Sequence, residues 1–104
     1  MQKQDFPKSM TKILVALSDR ERRLMLMSIQ VDSMNTKEFI EKWAAALART
    51  DSEIKEHLDI LKDARLVRES RSDRKPDESK VEVTDLCDKA VVGLRDLVEN
   101  LLVA

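Results

Sequence analysis

This sequence predicts a mainly α-helical chain with one small β-hairpin, on three observations. Among 104 residues there are one glycine and two prolines, whereas an all-β fold needs many tight turns whose positive φ glycine supplies. Three stretches carry a helix-start pattern, in which a short polar residue is followed three positions later by an acid that reaches back to it: Ser18 to Glu21, Asn35 to Glu38 and Thr50 to Glu53. Strict alternation of polar and apolar residues marks Lys80-Val81-Glu82-Val83-Thr84 as a strand. Hydrophobic residues are 42% of the chain and charged residues 38%, which suits one folded domain over 1–104 and leaves no room for a second.

The elements follow in order. The first helix carries Met10, Ile13, Leu14 and Leu17 at helical spacing, with Pro7 in its first turn. The second, after Ser18, holds Leu24, Leu26, Met27 and Val31, widened by Met25 and Ile29, and is expected to be the most buried. The third, about 36–48, turns Phe39, Ile40, Trp43, Ala44 and Leu47 inward, and the fourth, about 51–63, turns Ile54, His57, Leu58 and Leu61 inward. Only Ala48-Arg49-Thr50 separates these two, so 36–64 reads as a helix-turn-helix. A hairpin over 66–84 comes next, its strands Leu66–Arg71 and Lys80–Thr84 joined by a polar loop containing Pro76. Helical periodicity returns over 85–102, where Cys87, Ala90, Leu94, Leu97 and Leu101 form a coiled-coil-like seam.

Helix, helix, helix-turn-helix, hairpin, helix is the order of a winged helix with an added C-terminal helix. The run from His57 to Val67, HLDILKDARLV, resembles the end of the recognition helix and start of the wing in winged-helix repressors of the ArsR and MarR kind. Ala16 to Leu24, ALSDRERRL, is similar to that family's entry into its second helix. The resemblance implies a winged helix-turn-helix with N- and C-terminal dimerisation helices, in which the fourth helix enters the major groove of DNA.

Composition excludes several other chemistries. One cysteine and one histidine cannot build a four-ligand zinc or iron–sulfur site within one chain, nor an internal disulfide. The paired thiolates of ArsR-type metal sensors are absent, so thiolate metal sensing is not carried over. No glycine-rich phosphate loop and no nucleophile-base set occurs, so neither a cofactor nor an enzymatic activity is expected. No apolar run reaches a membrane span and the N-terminus lacks a signal-peptide core, so a cytoplasmic location without membrane partners is expected.

The formal net charge is only −1, but it is unevenly placed. Residues 65–75 hold Arg65, Arg68, Arg71, Arg74 and Lys75 against Glu69 and Asp73, a net of +3. Such a cluster suits phosphates; it also suits an edge strand guarded by charge. The fourth helix runs the other way, with Asp51, Glu53, Glu56, Asp59 and Asp63 against Lys55 and Lys62, a net of −3. Its candidate DNA contacts are Ser52, Lys55 and Glu56, with Arg49 in the turn and Lys37 at the start of the third helix; an acid there can accept from cytosine N4 but is repelled by most phosphates. Arg65 stands where the resembled motif has glycine. Either the turn there has another shape or the chain tolerates a left-handed residue, and the arginine reaches DNA backbone.

Two function classes compete. The first is a homodimeric regulator of transcription that binds double-stranded DNA, paired through Ile13, Leu14 and Leu17 of the first helix and Cys87, Ala90, Leu94, Leu97 and Leu101 of the last. Two wings would then meet half-sites about 34–36 Å apart. The second is an interaction module that docks onto a basic protein surface through its acidic fourth helix. His57, in register with the apolar face, reads as a hydrogen-bonded, half-buried structural residue, and Gly93 as a point where a partner helix could come close. Neither an operator nor a small-molecule effector is legible.

Overall fold

The computed structural model describes residues 8–71 and 78–103, and the side chains of all of these except 97, 98 and 101–103. Five helices and a three-stranded antiparallel sheet succeed one another as α1 (Lys8–Leu17), α2 (Arg20–Val31), β1 (Met34–Asn35), α3 (Thr36–Leu47), α4 (Asp51–Asp63), β2 (Val67–Arg71), β3 (Ser79–Val83) and α5 (Asp85–Val103). Strand order is β1-β3-β2.

Local chemistry explains the helix-turn-helix. Thr50 and Glu53 form the full capping box of α4, each side chain accepting from the other's backbone N–H. Asn35 caps α3 by accepting from the Glu38 amide. Between them α3 ends in a left-handed Ala48 (φ 55°), with the Arg49 amide donating to the Ala44 carbonyl and the Ala48 amide to Ala45, the hydrogen-bond pattern of a Schellman motif. The same motif closes α4: Leu66 donates to Leu61 and Arg65 to Lys62, and Arg65 is left-handed at φ 63°. The strained alternative is therefore the one realised, and it turns the chain straight into β2.

One core joins all layers. Ala16, Met25, Leu26, Ile29, Phe39, Ile40, Ile54, Leu58, Leu61, Ala64, Leu66, Val67, Val81 and Cys87 are buried together. At about 25 cal/mol per Å² of apolar surface, burial of this kind is the main term holding helices and sheet together.

Several expectations are corrected. The second helix is capped by Asp19, which accepts from the Arg22 amide, and not by Ser18, whose hydroxyl donates to the Val15 carbonyl. The buried face of α2 is Arg22, Met25, Leu26 and Ile29; Met27 and Val31, expected inside, are 60% and 87% exposed. Helical spacing explains this, since Met27 and Val31 are four apart on a face rotated from that of Met25 and Ile29. The strand β1 was not foreseen. It pairs Met34 with Val81 and Asn35 with Lys80, so the hairpin is the larger part of a three-stranded sheet. Cys87, expected on the dimer seam, is fully buried in the chain's own core. A Cβ at Gly93 would meet nothing within 4 Å, so no contact within the described residues requires glycine there. Pro7 and the hairpin tip with Pro76 lie outside the described residues.

Candidate nucleic-acid interface

The antiparallel register of the wing sets Arg68 opposite Glu82 and Glu69 opposite Val81. Arg68 Nε donates to Glu82 at 3.1 Å and Ser70 Oγ donates to the same carboxylate at 3.0 Å. These two donors, Ser70 and then Arg68, hold the Glu82 carboxyl below its usual range. On the sheet's other face Glu69 is half-buried and takes Lys62 Nζ of α4, Ser79 Oγ at 2.8 Å and Thr36 Oγ1 at 3.4 Å, while Ser79 Oγ also lies 2.7 Å from Thr36 Oγ1. The lysine, followed by the serine, keeps the Glu69 carboxyl ionised below its ordinary range. One carboxylate thereby ties the N-terminus of α3, the last turn of α4 and both long strands to one another, which fixes the wing against the helix-turn-helix.

A second network anchors the other side of α4. Arg22 of α2, only 8% exposed, donates from Nε to the Ala16 carbonyl at 2.9 Å and from Nη2 to Val15 at 3.0 Å, and its Nη1 lies 3.1 Å from His57 Nδ1. A guanidinium can only donate, so Nδ1 accepts and the His57 proton sits on Nε2. That nitrogen donates to Glu21 at 3.1 Å. Glu21 also takes Arg49 at 3.2 Å, and Arg49 lies 3.6 Å from Glu53; Arg49, then His57, hold the Glu21 carboxyl low. Nothing in the sequence pattern flagged Arg22 as a core residue beyond its register with Met25, Leu26 and Ile29.

Asp19, Glu21 and His57 also place three possible ligand atoms within 4.8 Å of one another. A metal would need the Nε2 lone pair, which would move the imidazole proton to Nδ1 and set it against the Arg22 donor. The residues present do not fit a metal.

The candidate DNA contacts are thereby sorted. Lys37 and Lys55 both line a polar cleft of about 830 Å³, with Asn35, Asp51 and Glu78. Ser52 is exposed on the first turn of α4. Arg49 is on the opposite flank in the Glu21 network, and Arg68 lies in its cross-strand pair. Arg65 and Arg71 are exposed at the two ends of the wing's first arm; Arg74 and Lys75 lie outside the described residues. Among the candidate dimer residues, Leu14 is exposed, Ile13 and Leu17 are half-buried against the core, and Ala90 and Leu94 are half-buried on α5. Leu94 lines an apolar cleft of about 220 Å³ with Leu17, Leu26, Met27 and Val91. The side chains of Leu97 and Leu101 are outside the description.

A helix-turn-helix whose second helix leads through a left-handed turn into a β-wing is a winged-helix fold. The fold is that of ArsR family transcriptional regulators. A crystal structure of an ArsR family transcriptional regulator matches with a TM-score of 0.68 over 98% of each chain at 17% identity. NolR from Sinorhizobium fredii matches at 0.64 and 20% identity, over 93% of this chain and 96% of NolR. MepR of S. aureus, solved in a complex with DNA, matches at 0.60 and 16% identity, over 90% of this chain and 76% of MepR. No protein-family model matches the sequence, and no curated protein matches it. Among the described residues no helix is long and apolar enough to cross a membrane.

Proposed function

We propose that the chain is a homodimeric, DNA-binding regulator of transcription acting from the cytoplasm, with no catalytic role. The observation that carries this reading is the end-to-end winged-helix architecture with the outward face of α4, bearing Ser52 and Lys55, open to solvent, and a wing whose first strand ends in the exposed Arg71. Known proteins of the same fold are regulators, and one of them was solved on DNA. In this reading Lys37, Arg49, Arg65, Arg68, Arg71, Arg74 and Lys75 meet phosphates and α4 meets base edges. Dimerisation is supported by the exposed apolar side chains of Met10, Leu14 and Val15 on α1 and Val92 on α5, which a second copy would cover.

A titration of random duplex against added salt tests the DNA half: binding falls steeply with salt, and Arg71→Ala with Arg74→Ala flattens the dependence. Absence of binding at low ionic strength refutes it. Sedimentation tests the dimer half, because Leu14→Lys with Leu94→Lys turns a dimer into a monomer. One observation favours the second reading, a module docking onto a basic protein: α4 is acidic, and Arg49 and Arg68 are already engaged inside the chain. A chain with no duplex affinity that still binds a polybasic peptide would select it.

A further inference from the structure

The acids of α4 are the feature that a DNA-binding surface explains least, and the structure separates them. Asp51 stands in the first turn, where a negative charge complements the helix dipole. Glu53 closes the capping box and faces Arg49. Asp59 lies 3.5 Å from Lys62, and Asp63 lies 3.3 Å from Lys12 of α1. Glu56 is left: it is exposed and, among the described residues, makes no hydrogen bond or ion pair. Residues 52, 56, 59 and 63 follow one another at steps of four and three, so they form one stripe. Ile54, Leu58 and Leu61 are buried on the opposite side. Ser52 and Glu56 are therefore the first two side chains of that stripe, beside the exposed Lys55.

Resting on the DNA-binding reading above, we propose that Glu56 is a specificity-determining residue that selects cytosine in the major groove. A carboxylate only accepts hydrogen bonds. Guanine shows it the acceptors O6 and N7, and thymine shows it O4, so both repel it. Adenine mixes an acceptor with its N6 amino group, whereas cytosine offers the N4 amino donor. The same negative charge lowers affinity for duplex of arbitrary sequence, because phosphates surround the groove. Glu56 thus acts twice, rewarding one base and penalising binding elsewhere.

The experiment is selection of binding sites from a randomised duplex library by the full chain and by Glu56→Gln and Glu56→Ala, with thermal melts to show that both variants fold. The expected result is one cytosine-enriched position per half-site for the native chain, with discrimination of about 5- to 100-fold. Glu56→Gln moves the preference to adenine, whose N6 and N7 a carboxamide can meet together. Glu56→Ala flattens that position and binds random duplex about two- to tenfold more tightly. An unchanged base preference in both variants overturns the assignment of Glu56 and leaves DNA binding standing. No duplex recovered by the native chain at low salt overturns both.

Discussion

Replacing Arg22 with methionine keeps an apolar stem in place and removes every donor of a guanidinium that is almost wholly buried. The Val15 carbonyl loses little, since it still accepts from the Ser18 amide at 3.2 Å and the Ser18 hydroxyl at 2.7 Å. The Ala16 carbonyl and His57 Nδ1 are left without their donors at 2.9 and 3.1 Å. Each stranded acceptor costs about 1–3 kcal/mol, and the desolvation of the cation, no longer needed, returns part of this. The net expectation is a loss of about 2–3 kcal/mol. For a domain of this size it lowers Tm by roughly 8–20 °C. Urea unfolding followed by circular dichroism at one fixed protein concentration measures it, with an unchanged m-value showing that the loss is in stability. Arg22→Lys recovers less than half, because a single ammonium cannot reach α1 and His57 together. A double-mutant cycle with His57→Ala should give a coupling of about 0.5–2 kcal/mol. If Arg22→Met unfolds within about 0.5 kcal/mol of the native chain, the guanidinium does not hold α1 to α4, and the network argument is wrong.

Burial, reinforced by Asp88, pushes the Cys87 thiol up to about 11. It should resist a thiol-specific disulfide reagent at pH 8 in the folded chain and react fully in denaturant, and its contribution to stability is lost as pH climbs from the ordinary thiol range towards 11. Glu21, Glu69 and Glu82 are all held low by donors in the folded state. Their contribution is present above about pH 4.3, the unfolded carboxyl value, and disappears as pH falls through their depressed folded values, which a melt series from pH 7 to 3 detects. Arg65→Gly removes a left-handed penalty of about 1–2 kcal/mol and adds about 0.5–1 kcal/mol of chain entropy, a net gain of roughly 0.5–1 kcal/mol; Ala48→Gly gains similarly. Only the first should weaken duplex binding, and equal effects of the two on binding would remove Arg65 from the interface. Glu82→Gln releases Arg68 from its cross-strand pair, so random duplex should bind more tightly and with a steeper salt dependence; weaker binding would show that Arg68 does not face phosphate.

The helix-turn-helix was legible almost to the residue. Its signals are local: Asn35 and Thr50 cap through their own neighbours, and the link between α3 and α4 is too short for anything but a tight turn. The hairpin was legible to within one residue at each strand, because alternation over Lys80 to Thr84 is itself a local property. What escaped is non-local. Two residues cannot announce a strand, and β1 exists only because β3 offers it Val81 and Lys80. On α2 two apolar residues were read as core, whereas a charged one took the place. An arginine can do that when distant carbonyls and an imidazole 35 positions away receive its donors, and nothing in a linear pattern reports such partners.

The same divide governs the candidate site. A net of +3 over 65–75 is a fact about composition, but phosphate responds to the charge left over after the chain has satisfied itself. The register that sets Arg68 against Glu82, and the packing that brings Arg49 to Glu21 and Glu53, both neutralise cations that a linear count assigns to DNA. Exposed pairs of this kind contribute only about 0–1 kcal/mol each, so a phosphate can displace the carboxylate at little cost in stability. The displaced carboxylate nonetheless stays beside the phosphate. Among the described residues Lys37, Lys55 and Arg65 are the candidate cations without an ion pair, and they lie at the start of α3, on the exposed side of α4 and just beyond its end. On the proposed DNA-binding reading, a winged helix charged in this way would hold non-specific DNA weakly and depend on base contacts for the remainder of its affinity, which is the condition under which an unpaired acid on the exposed side of α4 becomes useful.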